Sequence, residues 1–83
     1  MTISQKIAYA NSTETAVLII IEPWAEEYSI SPGDRVDIEV RNGVAGGHLE
    51  IEQTAQAIVI YGWEGTTVSV VRDGKELTPN AQR

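Results

Sequence analysis

Eighteen of the 21 Ile, Val and Leu residues in this chain branch at Cβ: ten Ile and eight Val against three Leu. Such side chains lose rotamer freedom in a helix and fit the surface of a pleated sheet. Clusters of Gly, Pro, Asn, Asp and Ser then cut the 83 residues into short runs, the spacing that all-β domains require. No segment has the period of a helix. The expectation is one all-β domain.

Strands are expected at about 2–9, 15–22, 27–30, 35–41, 48–52, 57–61 and 66–72, with a short return at 75–77. In the first, Ile3, Ile7 and Tyr9 fall on one face. The runs Ala16-Val17-Leu18-Ile19-Ile20-Ile21 and Ala57-Ile58-Val59-Ile60-Tyr61 are apolar on both faces, the pattern of central strands covered on both sides. Pro23 cannot donate to a ladder and ends the second strand. Arg35 to Arg41 alternates strictly, with Val36, Ile38 and Val40 facing a core. Ser31-Pro32-Gly33-Asp34 predicts a type II turn with Gly33 at positive φ, and Asp73-Gly74 predicts a type I′ hairpin.

Two central apolar strands flanked by alternating ones predict a small antiparallel β-sandwich of about seven strands over residues 1–78. Residues 79–83 are expected to form a flexible tail. A small closed β-barrel is the alternative.

Two resemblances bear on the fold. Glu22-Pro23-Trp24-Ala25-Glu26-Glu27-Tyr28 followed by Ser31-Pro32-Gly33-Asp34 resembles a family of small bacterial β proteins. It runs from about Val17 to Leu77, including Tyr61-Gly62-Trp63 and Arg72-Asp73-Gly74. That resemblance implies a single β domain and brings no activity with it. Ile30-Ser31-Pro32-Gly33-Asp34-Arg35-Val36, with Asn42 and His48 beyond, is similar to a passage of the cupredoxins. It implies sandwich topology alone, because a blue-copper site needs two His, a Cys and usually a Met. This chain has one His, no Cys and Met1 as its single methionine.

Composition narrows the chemistry further. Without Cys there are no disulfides, zinc–thiolate sites or thiol nucleophiles. His48 stands alone on an outward strand position, and no Ser, His and acid arrangement can be defended. Glu26 and Glu27 are adjacent, so on a strand they point to opposite faces. Gly43, Gly46 and Gly47 precede a strand rather than a helix, which excludes a phosphate loop. The expectation is a non-enzymatic protein with no cofactor and no metal. A net charge of −6 argues against nucleic acid. No apolar run is long enough for a membrane helix, and the start of the chain lacks the apolar stretch of an export signal, so the expected compartment is the cytoplasm. Asn11-Ser12-Thr13 matches a glycosylation sequon and is expected to be a turn instead.

Charge is the least even feature. Residues 22–52 hold eight acids and two bases, while the rest of the chain is balanced. If the strands at 35–41 and 48–52 form a hairpin with Val40 opposite Leu49, Glu39 faces Glu50 and Asp37 faces Glu52. Like charges directly opposite destabilise a sheet, so these acids would form a face suited to a basic protein surface. The candidate binding residues are therefore Trp24, Glu26, Glu27, Asp37, Glu39, Glu50, Glu52 and Trp63. The alternative is a small-ligand module, binding carbohydrate through Trp24 and Trp63 or Ca²⁺ through the acidic strands. The oligomeric state is left open.

Overall fold

The structure, a computed structural model, describes residues 3–81, with side chains described from Gln5 onward. Thr2 of the expected first strand, and Gln82 and Arg83 of the expected tail, lie outside the described residues.

Among the described residues eight strands follow one another: β1 (Ile3–Ala10), β2 (Val17–Glu22), β3 (Glu26–Ile30), β4 (Arg35–Asn42), β5 (Glu50–Gln53), β6 (Ala57–Tyr61), β7 (Thr66–Arg72) and β8 (Lys75–Glu76). They form two four-stranded sheets, sheet A in the order β1-β4-β7-β8 and sheet B in the order β3-β2-β6-β5. The chain is a small β-sandwich, not a closed barrel. Among the described residues no helix is long and apolar enough to cross a membrane.

Period-two alternation places the core where the branched residues predict it. From sheet B, Ile19, Ile21, Tyr28, Ile30 and Ile60 pack against Val36, Ile38, Val40, Val68 and Val70 of sheet A. Ile19, Ile21, Ile30, Val40, Ile60 and Val70 are wholly buried, each contributing about 1.5–3 kcal/mol of transfer free energy. Ile7 and Tyr9 pack against this core from β1. Both turns form as expected: Asp34 N donates to Ser31 O with Gly33 at φ 83°, and Asp73 and Gly74 sit at φ 53° and 79°.

Three expectations are overturned. The ladders are not all antiparallel, because β2 and β6 pair in parallel, Leu18 with Ala57 through Glu22 with Tyr61. Nor do β4 and β5 form a hairpin. β4 lies between β1 and β7 in sheet A, while β5 pairs with β6 in sheet B. Glu39 therefore opposes Lys6 and Ser69, and Asp37 opposes Ala8 and Val71. Finally, β2 and β6 are central, but a second sheet covers only one of their faces. All eight described strands belong to the two sheets, so no third layer of strands lies over the outer side of sheet B.

The lower end of the sandwich is closed by Asn11, which is 1% exposed. Its Nδ2 donates to Thr15 O and Ile30 O, each at 2.9 Å, and its Oδ1 accepts from Thr13 N and Oγ1. The sequon asparagine is thus a buried clip with its amide fully engaged. Asn80, expected in the flexible tail, donates from its backbone N to Glu27 O at 2.6 Å and from Nδ2 to Ser29 Oγ at 3.0 Å.

Candidate docking site

Charge divides by sheet. The strands of sheet B carry Glu22, Glu26, Glu27, Glu50 and Glu52 and no Lys or Arg. Sheet A carries Lys6, Arg35, Arg41, Arg72 and Lys75 against Asp37, Glu39 and Glu76. The acidity that is continuous over residues 22–52 is therefore split in space.

Alternation turns Glu22, Glu27, Glu50 and Glu52 to the outer side of sheet B. Between them run Leu18 and Ile20 of β2, half-buried, and Ala57 and Val59 of β6, buried by their neighbours within the sheet. Ile20 lies between Glu27 and Val59, and Val59 lies beside Glu52. The result is an apolar band rimmed by carboxylates. Tyr61 marks one end: its hydroxyl donates to Glu52 Oε1 at 2.7 Å. That bond, followed by desolvation and the charges of Glu52, Glu50 and Glu22, raises the phenol pKa above its ordinary value. A band of this kind is suited to apolar contact at its centre and to cations at its edge.

Asp37 and Glu39 are not part of this face. They sit on the outer side of sheet A, where Glu39 Oε1 meets Arg41 Nη2 at 2.7 Å and its side chain is 12% exposed. Residues two apart on a strand share a face, so Glu39 finds its cation within its own strand.

The remaining candidates gather at the upper end of the sandwich. Trp24 follows Pro23 in the β2–β3 turn, which Glu22 Oε1 braces by accepting from Ala25 N at 3.1 Å. Its indole lies over Gly62, where a Cβ would meet the ring at 3.3 Å, yet Trp24 remains 45% exposed. It borders a cleft of about 250 Å³ shared with Glu26, Thr66, Thr67 and Val68. Glu26 Oε1 accepts from the Tyr28 hydroxyl at 3.2 Å. Burial, then the Glu26 charge and that bond, push the Tyr28 pKa up to about 12.

Trp63 is committed to the fold. Its Nε1 donates to Val44 O at 2.9 Å, and its ring fills the space above Gly43 and Gly47, where a Cβ on Gly43 would lie 2.7 Å from Cζ2. It pins the loop between β4 and β5 and is half-buried against the core. Among the described residues no three His, Asp or Glu side chains converge as a metal ion requires.

The structure therefore brings Glu27, Glu50 and Glu52 to one face, and Trp24 and Glu26 to a separate cleft. Leu18, Ile20, Val59 and Tyr61, which sequence reasoning missed as site residues, complete the face. Their signal was the two-sided apolarity of residues 16–21 and 57–61, which was read as burial. Comparisons with protein-family models, curated proteins and solved structures find no match.

Proposed function

We propose that this domain is a non-enzymatic, cytoplasmic protein-interaction module that docks a basic protein surface on the outer side of sheet B. One observation carries the reading: the outer side of sheet B sets four carboxylates, Glu22, Glu27, Glu50 and Glu52, and no strand cation around an apolar band that no described strand covers. Apolar contact supplies affinity there, while the carboxylate rim selects cations and speeds encounter.

The test is titration with the peptide acetyl-(Lys-Val)4-amide at rising ionic strength. Affinity is expected to fall at least about tenfold from low to high salt as charge attraction is screened. Reversing Glu27 and Glu52 together to Lys should abolish binding, whereas Asp37→Lys should leave it intact. Binding indifferent to salt, or to the Glu27/Glu52 reversal, overturns the proposal.

A second reading rests on the exposed indole of Trp24 above its cleft. Stacking of a sugar ring on Trp24, oriented by Glu26 and Thr67, would make the upper end a carbohydrate site. Sugar binding there would be nearly independent of salt and would quench Trp24 fluorescence. An unchanged Trp24 signal across mono- and disaccharides removes that reading.

A further inference from the structure

Sheet B has two edges, and the chain treats them differently. The β3 edge is laced by Asn80, which bonds Glu27 O and Ser29 Oγ. β5, at the other edge, pairs with β6 alone among the described strands. All four of its residues are exposed, and Ile51 is 53% exposed despite its branched side chain.

The hairpin register shows which β5 backbone groups are open. Thr54 N donates to Ala57 O at 2.9 Å, so residues 54 and 57 form a hydrogen-bonded pair. Such pairs alternate along an antiparallel ladder, which makes Glu52 with Val59 and Glu50 with Tyr61 bonded pairs too. Ile51 and Gln53 then direct their N–H and C=O groups away from β6. No backbone partner for them occurs among the described residues.

An unpaired edge is a template for another strand. The flanking charges decide which strand fits. A second copy paired antiparallel about Ile51 would set Glu50 opposite Glu52, and pairing about Glu52 would set Glu52 opposite itself. Like charges in direct opposition are unfavourable. A strand with a cation at every second position reverses the sign of each of these contacts. Its intervening apolar side chains fall on the other face, over Ile51.

We propose that β5 is a strand-addition site: an extended segment of a partner protein, with Lys or Arg at alternate positions, pairs with Ile51 and Gln53 and sets its cations against Glu50 and Glu52. This rests on the acidic-face reading and uses the Glu50 and Glu52 rim of that face, leaving the band of Leu18, Ile20 and Val59 to other parts of the partner. A one-residue slip would move every cation to the wrong side, so register makes the edge selective.

Hydrogen exchange on the full chain, read residue by residue with saturating acetyl-(Lys-Val)4-amide, tests it. The Ile51 and Gln53 amides are expected to slow at least about tenfold, while the Glu52 amide, already bonded to β6, changes little. The same peptide N-methylated at alternate residues, on the edge that meets β5, should lose this protection. If the peptide binds, and Glu27/Glu52 reversal abolishes that binding, but Ile51 and Gln53 exchange as before, strand addition is overturned and the docking face stands. If the peptide does not bind in low salt, both fall. Protection of the same two amides without peptide, with a sedimentation mass that doubles, would make a second copy the occupant and also overturn the proposal.

Discussion

The side-chain amide of Asn11 donates to the carbonyl of Ile30 at 2.9 Å, so the residue that follows β1 in one sheet closes the end of β3 in the other. The same amide holds Thr15 O, and the Asn11 backbone accepts from Gly33 N and donates to Asp34 O. Asn11→Ala strands buried carbonyls and is expected to cost about 2–3 kcal/mol. Asn11→Asp, which turns an acceptor toward two carbonyls, should cost at least as much. Urea denaturation with an unchanged slope and a lowered midpoint checks both.

Gly46 and Gly47 are glycines for different reasons. Gly46 sits at φ 88° with open space around it, whereas an added Cβ on Gly47 would run into the Trp63 ring. Gly47→Ala is expected to dislodge that ring at about 1–3 kcal/mol and to shift Trp63 emission to the red in a Trp24→Tyr background. Gly46→Ala should cost about 1 kcal/mol through backbone strain and leave the emission unmoved.

Charge reversal should separate the two sheets. Glu39→Lys removes the partner of Arg41 and faces Lys6 across the β1–β4 ladder, so a loss of about 1–2 kcal/mol is expected. Glu52→Lys acts at an exposed site within an all-acidic sheet and should stay within about 0.5 kcal/mol of the parent. Thermal melts at matched ionic strength compare them.

Alkaline titration should find Tyr28 ionising late, near pH 12. The unfolded phenol ionises near its ordinary 10.0, so between these values the unfolded chain binds fewer protons than the folded one. The stability that neutral Tyr28 contributes is therefore full below pH 10 and is lost as pH rises toward 12. Glu26→Gln should lower the Tyr28 value, yet leave it above 10 because burial is the larger cause. Absorbance of tyrosinate against pH, with parallel denaturation curves, reads both effects.

The strands and their inward faces were legible because alternation is local. Val36, Ile38 and Val40 declare their side without reference to any other strand, and Asp73-Gly74 declares its turn. Which strands lie side by side is not local. The Gly43–Gly47 loop could have closed a β4–β5 hairpin, but it packs on the Trp63 ring and the chain crosses to the opposite sheet. Period two is blind to such a crossing, so six acids close in sequence, Glu26, Glu27, Asp37, Glu39, Glu50 and Glu52, look like one surface. The same blindness hides the apolar band: Leu18, Ile20 and Val59 look like residues between two sheets, and that only one sheet faces their strands is visible in three dimensions alone.

The separation of charge between the layers has a kinetic consequence. With every described Lys and Arg on strands of one layer and none on those of the other, the molecule carries a permanent electric dipole directed through its thickness. In the field of a cationic surface it would rotate during approach, arriving with sheet B foremost before any side chain touches.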